Sequence, residues 1–515
     1  MPIGRTWSVS LLGLRGAVVE IEADISSNLP AFVLIGLPDA ALGEAKDRVR
    51  SAATNSGCGL PGRKITVNLS PAALPKQGSG FDLGIALAAL AAAETVSADS
   101  IGRVLHLGEL GLDGRLRPID GILPAVLAAS RAGFETVMVP TGNADEAALV
   151  PGMRVIPVVS LRDAVIWHGG EFEPEVIEPI LRPAPAPASL DDHDHEPDLA
   201  DIVGSHDAVE AMLVAAAGGH HVFLLGPPGA GKTMLASRLP GLLPDLDADA
   251  ALEVSSLRSL SGMPVGSALS SRPPFEAPHH TATAASLVGG GSGQIRPGAA
   301  ARASHGVLFL DEAPEFPSSV LDALRQPLES GVISIHRANA VAHFPGKFQL
   351  IMAANPCPCG QYGAKDSECT CPPHSRRRYV GRLSGPLLDR IDIQFRVQRI
   401  TAAQLRMSGE TARMTSAQAR SLVAAARSMA GERLGGTPWT LNSQVPGAWL
   451  RGPAARLGRS VTASLDRALE RGGVTMRGYD RVLRVAWTIA DLAGAPRPNV
   501  DHMNQALYLR RAIST

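Results

Sequence analysis

The sequence predicts an α/β protein that ends in a helical domain, and three observations carry that expectation. Strand-like apolar runs such as "AVVEIEA", "AFVLIGLP" and "KITVNLS" alternate with Ala-rich helical runs such as "DLGIALAALAAAETV" and "ILPAVLAASRAG" early in the chain. The alternation resumes at "HVFLLG" and continues through "GVLFLDE", "FQLIMAAN" and "IDIQFRV". Beyond about residue 400 helical periodicity replaces it.

Residues 1–170 are accordingly expected to form one α/β domain. Residues 171–198, "EFEPEVIEPILRPAPAPASLDDHDHEPD", combine Pro and acidic residues with almost no aromatics, which is linker composition. His193 and His195 within it read as part of a solvated acidic tract rather than as metal ligands. A second α/β domain is expected over 199–400 and a helical one over 401–515. At 515 residues the chain can bury several such cores without disulfides.

Lys plus Arg total 48 against 49 Asp plus Glu, so no global charge draws the chain to nucleic acid or to an acidic membrane. Any such contact must be local. No apolar run approaches the ~18 residues of a membrane span, and Arg15, Glu20, Glu22 and Asp24 interrupt any leader-like stretch. A soluble cytoplasmic protein is expected. In that reducing compartment, cysteines crowded between residues 357 and 371 point to a metal before disulfides.

"HVFLLGPPGAGKT" sets a buried strand before Gly226, Pro227, Pro228, Gly229, Ala230, Gly231, Lys232 and Thr233, with the helical "MLASRLPGLL" behind. This is G-x-x-x-x-G-K-[ST] in the setting it requires. Glycines let backbone N–H groups close on phosphate oxygens, the helix N-terminus favours negative charge, and Lys232 reaches the β- and γ-phosphates. The expected ligand is ATP with Mg²⁺, and Thr233 supplies a hydroxyl to the ion. In "HGVLFLDEAPEF" an apolar strand ends in Asp311, expected to position Mg²⁺, and Glu312, expected to act as general base toward water. The next strand delivers Asn355, whose amide suits orienting that water.

"DLADIVGSHDAVEAMLVAAAGGHHVFLLGPPGAGKT", "EAPHHTATAASLVGGG", "FQLIMAANPCPCG" and "RLSGPLLDRIDI" together resemble the Mg-chelatase-like AAA+ family of YifB and ComM proteins, over nearly the whole chain. The resemblance implies an AAA+ P-loop αβα core of the helix-2-insert clade with a C-terminal helical lid. It makes Asn355 the sensor 1 residue, Arg390 the arginine finger that completes a neighbouring subunit's site, and Arg477 the sensor 2 arginine. Arg477, Arg481 and Arg484 also share one helical face, and a basic solvated face is the plainer account of them. A homo-oligomeric ring, a hexamer, follows from the same likeness, with pore elements at about residues 276–300 and at "VISIHRANAVAHF" carrying Arg296 and Arg337.

The implied activity is ComM-like DNA branch migration in recombination or transformation, with DNA as partner. "HSRRRYVGR" offers Arg376, Arg377, Arg378 and Arg382 as local contacts, although a solvated loop or a subunit interface explains them equally well. Two other activities stay open: the ATPase subunit of a magnesium chelatase, and an AAA+ protein remodeller or assembly chaperone. The first is disfavoured, with no porphyrin expected, because those subunits lack the N-terminal domain seen here.

That domain, through "LPKQGSGFDLGIALAAL" and "LGELGLDGRLRPIDGILPAV", resembles the proteolytic domain of Lon and its S5-like fold. The likeness places Asp82 where Lon has its nucleophilic Ser and Leu123 where it has its Lys, so a platform without peptidase activity is expected. Cys357, Cys359, Cys369 and Cys371 form C-x-C-x9-C-x-C, four thiolates suited to a structural, tetrahedral Zn²⁺. His374 is a spare ligand, and reduced thiols without metal are the alternative.

Overall fold

In the computed structural model, which describes residues 3–36, 40–182, 197–291, 295–337, 340–362, 369–401 and 413–510, the N-terminal domain is built on a seven-stranded sheet. His193 and His195 lie outside the described residues. The strands are β1 (Gly4–Leu12), β2 (Arg15–Ser26), β3 (Ala31–Ile35), β4 (Lys64–Ser70), β5 (Leu105–His106) and, after a short β6–β7 ladder (Glu109–Leu110, Leu116–Arg117), β8 (Thr136–Pro140) and β9 (Arg154–Val158). Their order is β3-β4-β2-β1-β5-β8-β9, antiparallel at β4-β2-β1 and parallel elsewhere. The helix Asp82–Ala92 lies against β1 and β2 with every residue buried, which explains why "IALAALAAA" is apolar on all sides.

The central domain holds a second sheet of β10 (Val222–Leu225), β11 (Phe275–Glu276), β14 (Val307–Leu310), β17 (Gln349–Ala354) and β18 (Ile393–Arg396). Its order is β11-β14-β17-β10-β18, all parallel. β10, β14 and β17 are buried along their whole length, as continuous apolar runs in a parallel sheet should be. The loops leaving the carboxyl ends of β14, β17 and β10 therefore emerge side by side, where open parallel sheets bind their ligands. Two hairpins stand apart from the sheet: β12–β13 (Gly289–Gly290, Arg296–Pro297) and β15–β16 (Val332–Arg337, Ala340–Pro345).

The C-terminal part is helical, as expected: Ser416–Arg433, Arg459–Glu470, Met476–Leu492 and Val500–Tyr508 are its longer helices. Thr415 closes a capping box on the first, and the Thr475 side chain accepts from Gly478 N at 3.1 Å to start the third. On the third helix the solvated basic face is corrected. Arg481 reaches back to the central domain, donating to Asp389 O at 2.6 Å and to Asp392 at 2.5 Å, and Arg484 donates to Val445 O at 2.8 Å. Only Arg477 of the three is exposed. A helical face records which residues lie together, not what covers them.

Among the described residues, the N-terminal domain docks on the central one at two places. Backbone N–H groups of Gly121 and Leu123 donate to Ser259 O and Ser259 Oγ at 3.1 and 3.4 Å, and Asp120 takes both Arg182 and the hairpin residue Arg296, at 2.9 and 3.2 Å. The turn between β1 and β2 sits on β16: Gly13 has φ +63°, and a Cβ there would lie 2.7 Å from His343 O, so both conformation and space call for glycine. Leu11, Leu12 and Leu14 beside it pack on the central core.

Candidate nucleotide site

The loop after β10 ends in Gly231, at φ +84°, as the N-cap of the helix Lys232–Leu242. This left-handed turn swings the chain from strand into helix and leaves the helix N-terminus facing the cleft, a cradle suited to phosphate. Lys232 is buried; its Nζ donates to Gly226 O at 2.7 Å, Pro227 O at 3.0 Å and Asn355 Oδ1 at 3.1 Å. Burial lowers its pKa, and the neighbouring Asp311 and Glu312 carboxylates work in the opposite direction. Thr233 Oγ1 donates to Asp311 Oδ2 at 2.8 Å, and Asp311 Oδ1 accepts the backbone N–H of Glu312 at 2.9 Å.

Lys232, Thr233, Asp311, Glu312 and Asn355, on the segments that follow β10, β14 and β17, thus line one cleft. The hydroxyl and carboxylate already in contact form a hard-oxygen pair of the kind Mg²⁺ takes beside substrate phosphates. These residues fit a nucleotide and its ion.

Two sequence-predicted residues are not brought to this cleft. Arg390 is buried against Glu329, with Nη1 donating to Pro386 O at 2.6 Å. Arg477 pairs with Asp389 at 3.5 Å. Asp389 directly precedes Arg390 in the chain, and neither arginine lines the cleft. One residue was missed: His280, whose Nδ1 lies 3.3 Å from Glu312 Oε2. "EAPHH" has no periodicity or spacing that ties it to an acid on another strand.

The four cysteines do converge. The Sγ atoms of Cys357, Cys359, Cys369 and Cys371 all lie within 4.8 Å of one another, and Cys357–Cys359, Cys357–Cys369 and Cys359–Cys369 are 3.3, 3.8 and 3.7 Å apart. Four sulfurs at about 2.3 Å from one ion would stand about 3.8 Å apart, so the cluster has the size of a tetrahedral thiolate site. Burial pushes the Cys357 thiol up to about 12, while the N–H of Gln361 and the neighbouring thiols bring Cys359 down to about 6. A cation would reverse the penalty on Cys357. His374 is exposed and outside the cluster. Arg399 links this loop to the phosphate loop, donating to Pro228 O at 3.3 Å and to Gln361 Oε1 at 3.5 Å.

Of the arginines in "HSRRRYVGR", Arg376 stacks on Tyr362 at 3.9 Å from the ring centroid, and Arg382 pairs with Glu315 at 3.0 Å. Arg377 and Arg378 are exposed.

In the N-terminal domain, Asp82 is buried and forks to Arg48 at 2.7 and 3.0 Å, and it also accepts Leu110 N at 3.2 Å. Leu123 is a core residue, Ser79 bonds to Glu109, and the buried Lys76 spends its Nζ on Gly36 O and Pro71 O. No Ser–Lys pair forms among these residues.

Three family models match consecutive parts of the chain: subunit ChlI of Mg-chelatase over residues 21–143, magnesium chelatase subunit ChlI over 198–405, and the ChlI C-terminal part over 413–510. An uncharacterized protein of Mycobacterium tuberculosis is 47% identical over 513 residues, covering 99% of both chains. Competence protein ComM of Haemophilus influenzae is 40% identical over 513 residues, covering 100% of this chain and 98% of its own. YifB of Escherichia coli is 38% identical over 506 residues, covering 97% and 95%. A Lon protease of Mycolicibacterium smegmatis is 30% identical over 175 residues, 32% of this chain and 22% of its own.

Proposed function

Because this chain belongs to the magnesium chelatase-like family that includes ComM and YifB, we propose that it is an ATP-hydrolysing, ring-forming AAA+ motor that acts on DNA in ComM-like branch migration. The observation that supports hydrolysis most directly is the convergence of Lys232, Thr233, Asp311, Glu312 and Asn355 on one cleft. Lys232 exchanges its carbonyl and Asn355 contacts for phosphate oxygens, which frees the Asn355 amide to orient water. Thr233 and Asp311 hold the Mg²⁺ shell, and Glu312 takes the proton from the attacking water oxygen.

In this proposal Arg390 serves the neighbouring subunit's nucleotide as arginine finger, and Arg477 reads the γ-phosphate from the C-terminal helices as sensor 2. The ring is a hexamer of the helix-2-insert clade, and the C-terminal helices act as its lid. The N-terminal domain acts as a platform, without peptidase chemistry.

The test is ATP turnover with single-stranded, duplex and forked DNA. We expect several-fold stimulation that falls steeply with salt, and weaker DNA binding when Arg377 and Arg378 are both replaced by Ala. Turnover indifferent to every DNA form would favour the protein remodeller or the chelatase-type subunit instead.

The cysteine cluster is proposed to hold a structural Zn²⁺. Protein purified without chelator should contain about one zinc per chain. The Cys357→Ser/Cys359→Ser double variant should lose the metal and, through Arg399 and Pro228, weaken nucleotide binding and ring assembly. Zinc-free wild-type protein, with the double variant unchanged in stability and turnover, would remove the site.

A further inference from the structure

Charge is not spread evenly along this chain. Residues 413–510 carry 14 arginines, no lysine and 6 acids, a formal balance of +8 in a chain whose total is −1, so the rest of the sequence is acidic. Some of these arginines are spent inside the fold: Arg427 donates to Ala216 O at 2.6 Å, and Arg433 and Arg481 pair with the buried Asp491 and Asp392. Arg456, Arg459, Arg467 and Arg471 are different. All four are exposed, and none is paired with an acid among the described residues.

Three of the four form a row. Arg459 opens the helix Arg459–Glu470, Arg467 stands eight residues on, and Arg471 caps its end four residues later, so the three share one helical face while Thr462 and Leu465 turn inward. At 1.5 Å per residue the row is about 18 Å long. Its far end opens into a cavity of about 500 Å³ whose wall carries Ser464, Arg467, Arg471, Thr475 and Arg510. Ser464 Oγ is buried and has no hydrogen-bond partner among the described residues, a donor left over beside the arginines. Arg510 is fixed there by Ile391 O, to which its Nη1 donates at 2.6 Å. Asp389 is the one carboxylate among the described lining residues, and Arg477 engages it at 3.5 Å.

We propose that this face of the C-terminal helical domain binds the phosphate backbone of DNA, with Arg459, Arg467 and Arg471 following one strand and the cavity seating a phosphate between Arg467, Arg471 and Arg510. This deepens the proposal that the protein acts on DNA, and rests on it. Guanidinium groups grip phosphate oxygens two at a time, and binding is driven further by the counterions released. A protein partner is a poorer fit, because interfaces between proteins are built round apolar side chains and only Ala463 stands at the intervening step of this row. The acidic remainder of the chain repels a polyanion and leaves the basic domain as its place of approach.

The experiment is fluorescence anisotropy of the full chain with a labelled DNA duplex, repeated over a series of salt concentrations. Arg467→Ala/Arg471→Ala should weaken binding several-fold and lower the slope of log K against log salt by about 2, one for each phosphate contact removed. Arg467→Lys/Arg471→Lys keeps both charges and should recover most of that slope. Oligomeric mass and ATP turnover without DNA should match wild type in both variants.

Wild-type affinity and slope in the double Ala variant would overturn the proposal. So would a change in oligomeric mass or DNA-free turnover with DNA affinity intact, which would make this face a contact between subunits. If the wild-type chain binds no DNA at any salt concentration, the DNA-motor proposal fails and this surface falls with it. DNA binding that depends on Arg377 and Arg378 but not on Arg467 and Arg471 keeps the motor and rejects this surface alone.

Discussion

Glu312→Gln is expected to lower ATP turnover by roughly 10²–10⁴-fold while nucleotide binding stays close to wild type. The amide matches the carboxylate in size, so the cleft should keep its shape. It cannot take a proton from water. Lys232, Thr233 and Asp311, which contact phosphate and metal in the proposed mechanism, are untouched. Single-turnover hydrolysis beside equilibrium binding of a labelled nucleotide separates the two effects. Equal loss of binding and hydrolysis would mean that Glu312 is not the base.

The second large effect is expected at Asp392, far from the chemistry. Its carboxylate is fully buried between His220 Nδ1 at 3.2 Å, on the central domain, and Arg481 Nη1 at 2.5 Å, on the helix Met476–Leu492. His220 Nε2 continues the chain to Thr488 Oγ1 at 2.8 Å, and Asn442 joins Thr488 to Asp491. Burial by itself would raise the Asp392 pKa; Arg481 and His220 more than reverse this and hold it well below the usual carboxylate range.

Asp392→Ala leaves Arg481 without its anion in a buried place, a defect that costs about 3–5 kcal/mol when a buried pair is broken on one side. The C-terminal helices should detach at lower denaturant than in wild type. Trp487, buried under Arg433 at 4.5 Å, gives a fluorescence reporter on the same helix. A shift worth under ~1 kcal/mol, the range of an exposed pair, would show that the network does not hold the two domains together.

The parts of the site legible in the sequence are those whose chemistry is local. A strand, a glycine loop and a Lys-Thr pair must be contiguous to cradle a phosphate, and "LFLDE" carries its acids at the end of its own strand, so spacing alone identified both. The cysteines were legible by crowding, and their sulfurs do meet. Arg481 and Arg484 were not, because a charged helical face usually points to water, and only the tertiary fold shows Asp392 and Val445 waiting behind it. His280 escaped for a similar reason: its partner is an acid in the turn after β14, more than thirty residues on. Arg390 and Arg477 sit between the two cases, since their motifs are visible in the sequence but neither side chain lines the cleft.

The fold was legible at the level of its layers, since apolar runs without alternation already announce parallel strands with both faces covered. The strand order was not, because register and crossover depend on pairings between distant segments. Composition also marked the Pro-rich stretch as a division of the chain.

That division is not a division of mechanics. The β1–β2 turn, with Gly13 against His343 and three leucines beneath it, makes the opening strands of the chain a backing plate for the β15–β16 hairpin. Cutting between residues 171 and 198 would separate two polypeptides that share one apolar seam, leaving the central domain with a raw edge where its hairpin had been braced. The protein is modular in its sequence and indivisible in its working parts.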